Sequence, residues 1–381
     1  MKSGKLKVLF INRMFGIRFG GGENFDFRLS TNLTKAGHDI TILTGRPAFA
    51  PSTTPKPAGV SVTQLRTPYL RWLMYRFESS PIRPLRWIGY AGRIIDLVIF
   101  QIAALFWVLL AGRKFDAIQI CGMAELGALL HTLGWRSIVR WPGPPGPVDV
   151  FFSRYCYRVI AGGDVYPALS NKLHPDVLRP LEVGVDTSAI QQKSWTSEQT
   201  CRNFLFIGRI VPIKNLEFLI RGFHAAADDC PEITLTIIGP ADPVYLNKLN
   251  ALIIELGQSS RIRLPGVKSP AEIARTYENF DCLCLVSTYE NFPNVILEAM
   301  TAGIPVIGSA VGGIIKQIDN EKSGFLVAPN DLSALSATIS RLASTPGLGQ
   351  GVGRYSRSHM LASRTWANVT ADWLALNGDA R

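Results

Sequence analysis

Two glutamates, Glu290 and Glu298, stand eight residues apart in the stretch Ser287-Thr288-Tyr289-Glu290-Asn291-Phe292-Pro293-Asn294-Val295-Ile296-Leu297-Glu298. The elements that must position them can be read around them. Residues 280–286 form a mostly apolar run of about the usual strand length, as expected of a buried strand. Downstream, Val295, Leu297, Ala299 and Met300 carry a helix that Gly303 and Pro305 stop. Glu290 is then expected on the loop after a strand, and Glu298 about one turn inside the next helix. Open α/β sheets bind ligands at that edge, outside the carboxyl ends of their strands. A helix start near Asn294 and Val295 also presents backbone N–H groups and a positive dipole end to an anion. Two carboxylates flanking a phosphate site suit a ligand with phosphates in its middle and hydroxyls at both ends, and a nucleotide sugar is such a ligand.

A second group with chemical potential lies upstream. Phe206-Ile207-Gly208-Arg209, with Pro212, Lys214 and Asn215, places two cations on a loop directly after a strand. Fixed positive groups aimed at charge that builds on a leaving phosphate supply a large catalytic effect. Arginine offers a fork of donors, and lysine adds a point charge. Near the N-terminus, Gly20-Gly21-Gly22-Glu23 follows a first strand and lets backbone approach a ligand closely. It is not the spaced dinucleotide fingerprint, because no GxGxxG occurs in the chain.

These segments, with Ala302-Gly303-Ile304-Pro305-Val306-Ile307, Val311-Gly312-Gly313-Ile314, Gly37-His38-Asp39-Ile40 and Gly184-Val185-Asp186, resemble in type and order the motifs of the family-4 retaining glycosyltransferases of GT-B fold. The matches are collinear from residue 7 to residue 330. The resemblance implies two Rossmann-like doubly wound parallel-sheet domains facing a central cleft. It implies that Arg209 and Lys214 meet the diphosphate, that Glu298 binds the ribose hydroxyls, and that Glu290 positions the transferred sugar without acting as a base. Gly21, Gly22, Gly266, Val267, Asn291, Phe292, Pro293, Asn294 and Val295 would line the donor site. Two departures stand out. Arg140-Trp141-Pro142-Gly143 occupies a stretch where many members carry a histidine, so Arg140 is a candidate contact for the reacting sugar or acceptor. Asn291 follows Glu290 where glycine is common. The chain has no Asp-x-Asp, the usual metal-diphosphate ligand of the other large transferase fold. The expectation is metal-independent transfer with no cofactor beyond the nucleotide-diphosphate sugar.

Composition narrows the class. A chain of 381 residues with 47% hydrophobic and 18% charged residues is long enough for two cores and excludes a disordered protein. Lys2, Lys5 and Lys7 precede an apolar run too short for a secretory signal. The six cysteines show no paired or metal-like spacing; Cys282 and Cys284 read as core residues on one strand face. His38 reads as structural. A reducing cytoplasm is the expected compartment.

The net charge of +11 is uneven. Residues 1–180 hold 23 lysines and arginines against 10 acids, and residues 181–381 hold 17 against 19. The excess concentrates between 66 and 93, where Arg66, Arg71, Arg76, Arg83, Arg86 and Arg93 face only Glu78 and are interleaved with Tyr69, Trp72, Tyr75, Phe77, Trp87 and Tyr90. Arginines mixed with interfacial aromatics suit an anionic membrane surface; a solvated basic surface is the plainer reading. No nucleic-acid motif accompanies the charge, so a nucleic-acid partner is not expected. Residues 94–110 approach the length of a membrane span but are interrupted by Asp96 and Gln101. A buried or membrane-facing helix is expected there in preference to a true span.

Strands and helices alternate up to about residue 180 and again from 203, implying parallel sheets covered on both faces. The expected domains are 1–180, joined by the returning C-terminal helix 355–381, and 181–354, which would bind the donor. Residues 196–199 and 345–353 read as surface loops. The function expected is transfer of a hexosyl unit from a nucleotide-diphosphate sugar to a glycan or lipid-linked acceptor, in cell-surface glycan or glycolipid synthesis at the inner membrane face. The alternatives are a sugar epimerase or phosphorylase on the same frame, and a non-catalytic nucleotide-sugar-binding scaffold.

Overall fold

The structure, a computed structural model, describes residues 4–16, 21–45, 57–68, 70, 72–77, 82–111, 114–196 and 198–378. Lys2, Gly20, Tyr69, Arg71 and Glu78, singled out above, lie outside the described residues. The chain divides into two compact units, one of Met1–Glu182 with Val369–Arg381 and the other of Val183–Asn368.

The first unit is built on seven strands: β1 (Lys7–Ile11), β2 (Asp39–Gly45), β3 (Ser61–Leu65), β4 (Ala117–Cys121), β5 (Ser137–Trp141), β6 (Arg158–Ala161) and β7 (Leu178–Pro180). They pair in parallel in the order β3-β2-β1-β4-β5-β6-β7. Central strands such as Val8-Leu9-Phe10-Ile11 are buried on both faces, so they read as continuous apolar runs instead of alternating ones. The helix Gly21–Lys35 follows β1 and opens within the glycine loop.

The end of the arginine-aromatic stretch and the apolar run beyond it prove to be one element. A single helix, Arg83–Ala111, runs 29 residues. Its buried residues are Gly89, Gly92, Asp96, Phe100, Ala104 and Val108, spaced three or four apart on one face. Phe100, Ala104 and Val108 join the core around Leu9, Ile118 and Val139. Asp96 accepts a hydrogen bond from Arg13 Nη2 at 2.8 Å and from the Leu70 amide at 3.1 Å. A side-chain carbon at Gly92 would collide with Leu73, so the helix Trp72–Phe77 packs against bare backbone there.

The helix Trp366–Gly378 brings the chain back to the first unit. Trp373 is fully buried, stacks on Phe10 with ring centroids 6.2 Å apart, and donates Nε1–H to Gln119 Oε1 at 2.6 Å. This return comes at residue 369, later than the 355 expected, because the preceding helix Leu348–Ser363 packs on Asn294–Ala302 within the second unit. That helix also corrects the loop expected over 345–353. Its glycines are contact points, not breakers. A side-chain carbon at Gly349 would meet Cys201 Sγ, and one at Gly353 would strike the Gly303 carbonyl.

The second unit holds β8 (Asn203–Ile207), β9 (Thr234–Ile238), β10 (Ile262–Gly266), β11 (Cys282–Leu285), β12 (Val306–Ser309) and β13 (Phe325–Val327), parallel in the order β10-β9-β8-β11-β12-β13. The helix Leu216–Asp229 buries Leu216, Leu219, Ile220, Phe223, Ala226 and Ala227, the apolar stripe its spacing dictates. Cys282 and Cys284 are free and fully buried in this core.

Candidate functional site

The strand order of the second unit fixes where a ligand can sit. From β8 the chain moves outward through β9 to β10, then crosses back to lay β11 on the other side of β8. The helices after β8 and β11 therefore diverge, and the crevice between those two strand ends is the switch point at which open α/β sheets bind ligands.

Both groups of candidate residues emerge at that point. β8 ends at Ile207, and Gly208 and Arg209 follow on the loop. The Gly208 amide donates to Ile238 O at 3.0 Å, and a side-chain carbon at Gly239 would collide with the Gly208 carbonyl, so the loop crosses the end of β9 closely. Pro212 then starts a single 3₁₀ turn, Pro212–Lys214, and Asn215 takes a left-handed conformation at φ 53° before the helix begins. The turn folds Lys214 back over the strand end, its Cε 3.9 Å from where a Gly208 side chain would start. Arg209 is exposed, and its guanidinium makes no ion pair among the described residues.

From the other side, Ser287 and Glu290 follow β11. Thr288 pins this loop to the 3₁₀ turn, its amide donating to Ile213 O at 2.9 Å. Glu290 Oε1 accepts from Ser287 Oγ at 2.7 Å and forms an ion pair with Lys214 Nζ. The Lys214 and Glu290 side chains keep only 15% and 12% of their surface exposed, so the pair is well shielded from water. The Glu290 carbonyl accepts from the Gly313 amide at 2.9 Å, and Gly313 must lack a side chain because Asn291 O lies where its Cβ would stand. Seventy-six residues of sequence separate Lys214 from Glu290, yet the two charges meet across the switch point.

The next segment leads into the helix Asn294–Ala302. Pro293 caps it without a side-chain hydrogen bond, its carbonyl accepting from Gln317 Nε2 at 3.1 Å. The Phe292 ring lies under the Arg364 guanidinium at 5.8 Å. Asn294 and Val295 open the first turn. Glu298 lies one turn in and accepts a hydrogen bond from Tyr277 Oη at 2.6 Å. Tyr277 is completely buried; burial first, and the Glu298 charge second, push its phenol well above the ordinary tyrosine range, so it remains a donor. Gly266 closes β10 at φ +85°, and Val267 beyond it is 70% exposed, at the same sheet edge two strands from β8.

The remaining candidates lie in the first unit. Gly21 and Gly22 open the helix after β1. Arg140, near the end of β5, is 7% exposed, its guanidinium carbon stands 3.7 Å from the Phe25 ring centroid, and Nη1 donates to Gly22 O at 3.5 Å. Beside it, Asp26 accepts from Asn12 Nδ2 at 2.6 Å and Gln119 Nε2 at 2.7 Å. Burial raises the Asp26 pKa to about 6, against the lowering effect of Arg140 and these two donors. His38 is structural, its Nδ1 accepting from the Leu6 amide at 3.1 Å. Tyr277, Ser287 and Asp26 are the residues that sequence reading missed. Ser287 could have been found, as the first polar residue after a buried strand, whereas nothing local marks Tyr277.

Residues 188–359 match the family model described as glycosyl transferases group 1. A D-inositol 3-phosphate glycosyltransferase of Actinosynnema mirum is 30% identical over 183 residues, covering 46% of this chain and 44% of that protein. The matches span less than half the length of these curated relatives. Among solved structures, a sucrose-phosphate synthase from Thermosynechococcus elongatus superposes with a TM-score of 0.76 at 18% identity, covering 98% of this chain and 99% of that one. Anabaena HepE, solved in complex with UDP and glucose, gives 0.70 at 17% identity over 99% and 100% of the two chains. At these identities the likeness shows the fold, which is GT-B.

Proposed function

We propose that this chain, whose residues 188–359 form a glycosyl transferases group 1 domain, moves a hexosyl unit from a nucleotide-diphosphate sugar to a glycan or lipid-linked acceptor, with retention of configuration and without a metal. One observation carries the reading: Lys214 and Glu290, delivered from different strand ends, are held together at the switch point where a nucleotide-diphosphate would lie.

In this reading Arg209, Lys214 and the first-turn amides of Asn294–Ala302 take up the charge that grows on the leaving diphosphate as the sugar C1–O bond breaks. Glu298, held by Tyr277, accepts the ribose hydroxyls. Glu290 changes partner from Lys214 to sugar hydroxyls when the diphosphate claims the lysine. The acceptor oxygen attacks from the face the leaving group departs, and its proton passes to the departing phosphate oxygen. The curated relative of Actinosynnema mirum is named as a glycosyltransferase, and the Anabaena protein of like fold was solved with UDP and glucose; both support a nucleotide-sugar donor. An acceptor at the inner membrane face is supported by Arg66, Arg76, Arg83, Arg86 and Arg93, all exposed in the first unit.

The test is a thermal-stabilisation screen with UDP, GDP and ADP, since a ligand of the native state raises the melting point, followed by product analysis with the sugar donor that binds. A new glycosidic bond formed with the donor configuration is the expected result. Isomerised sugar or sugar phosphate alone would replace this reading with an epimerase or phosphorylase.

A further inference from the structure

The helix Arg83–Ala111 meets solvent with a face that water should reject. Beyond Arg93 its exposed positions are Ile94, Ile95, Val98, Ile102, Phe106, Leu109 and Leu110, every one apolar and between 40% and 87% exposed. Their spacing of three and four residues makes one continuous stripe, about 24 Å long at 1.5 Å per residue. An exposed helix face is normally polar. The stripe also continues sideways. A groove of about 520 Å³ runs along it, lined by Leu97, Val98, Leu105, Leu129 and Val148, with Glu125 and Asp149 also on its wall. On its far side Val148, Phe151 and Tyr155 are at least half exposed. A contiguous exposed apolar surface rimmed by charge marks a contact site on a folded protein.

The same helix is divided along its axis. Its first three turns expose Arg83, Arg86 and Arg93 with Trp87 and Tyr90, the last two forming an edge-on aromatic pair. Cations and amphipathic rings stand at one end, bare hydrocarbon at the other. That is the vertical sequence of an anionic bilayer from headgroup to acyl chain. A second copy of this chain fits less well, because it would bring the same arginines and the same surplus of positive charge to the contact.

The opposite face rules the element's depth. Asp96 is buried in its ion pair with Arg13, and Phe100, Ala104 and Val108 are core residues of the first unit. Phe100, Ala104 and Val108 are fully buried while most of the apolar stretch is not, and these few positions anchor the helix to the sheet.

We propose that Arg83–Ala111 is a monotopic membrane anchor. The exposed stripe over 94–110 enters the hydrocarbon of an anionic bilayer, the groove with Glu125 and Asp149 stays at the headgroup boundary with residues 83–93, and the helix remains packed on its unit. This deepens the membrane-facing part of the proposed function and rests on it. It differs from attachment by arginines alone, because hydrocarbon burial survives salt whereas charge attraction is screened.

The experiment is co-sedimentation of the full chain with phosphatidylglycerol/phosphatidylcholine vesicles across a salt series. The parent is compared with Ile94→Ser/Val98→Ser/Ile102→Ser/Phe106→Ser and with Arg83→Ser/Arg86→Ser/Arg93→Ser. The parent should pellet with vesicles even at high salt. The apolar variant should lose partitioning by about 100-fold or more, while the arginine variant loses mainly the low-salt component. The anchor is overturned if the apolar variant pellets like the parent, or if the parent stays in the supernatant at every salt. It is equally overturned if the lipid-free parent is a dimer that the apolar variant dissolves and neither binds vesicles. Nucleotide-induced thermal stabilisation, measured on the same samples, separates the two readings. If it persists without vesicle binding, the anchor alone fails; if it is absent while vesicles still bind, the donor site alone fails.

Discussion

Tyr277 and Glu298 form a pair whose energetics can be worked out before any measurement. The tyrosine is wholly buried and its hydroxyl donates to Glu298 Oε2 at 2.6 Å, whereas Glu298 itself is half-buried at the end of the site. Glu298→Ala leaves a buried hydroxyl without this acceptor, a loss of about 1–3 kcal/mol. Tyr277→Phe removes the donor but leaves a carboxylate that water can reach, so it should cost about 0.5–1.5 kcal/mol. Removing both partners should cost little more than Tyr277→Phe alone, giving a coupling of about 1–2 kcal/mol in the double-mutant cycle. Urea denaturation measures this, with amide exchange in Asn294–Ala302 assigning the transition to the second unit. Binding should follow a different order. By calorimetry, Glu298→Ala should weaken the bare nucleotide by about 10- to 100-fold, the worth of a hydrogen bond to a charged group. Tyr277→Phe should weaken it only about 5-fold, through a less well-held carboxylate. If Glu298→Ala unfolds at the parent midpoint, or the double variant is less stable than Glu298→Ala, the pair does not act as described.

Three further outcomes are expected. Arg209→Ala or Lys214→Ala should cut turnover by about 100-fold or more while leaving the fold intact by circular dichroism; activity within a few-fold of the parent would remove both from the mechanism. Glu290→Ala should spare affinity for the bare nucleotide and impair use of the sugar donor, and equal losses in both assays would undo the division of labour between Glu290 and Glu298. Asp26 should titrate near pH 6 in a labelled-carboxyl NMR experiment. Since the unfolded chain ionises it near 3.8, the native state alone holds that proton between those values, and this residue's contribution to stability declines as pH rises through the window. A midpoint in the ordinary aspartate range would show the carboxyl to be better solvated than its burial implies.

Much of this architecture could be read in advance because buried parallel strands announce themselves as short apolar runs. β1, β5, β8, β9 and β11 are of that kind. Ser61–Leu65 is not: it lies at the sheet edge with no residue fully buried, so its sequence carries no strand pattern. Leu178–Pro180, three residues long and ending in proline at the opposite edge, is equally silent. The helix over 348–363 was misread because glycine is ordinarily punctuation, whereas here it admits Cys201 and the Gly303 backbone at contact distance. Arg209, Lys214, Glu290 and Glu298 could be named from sequence since strand ends and helix starts locate them. Tyr277 could not, because its role depends on one distance across 21 residues of chain.

The buried Trp373 has a consequence for how the chain is made. It fills the core of the first unit and satisfies Gln119, a residue 254 positions earlier. At a synthesis rate of roughly 5–20 residues per second, the ribosome would deliver it about 10–50 s after Gln119. Until then the nascent first unit must wait with Phe10 unstacked and Gln119 lacking its donor, exposed to wrong partners. The second unit has no such debt, since its six strands lie within one uninterrupted stretch of chain.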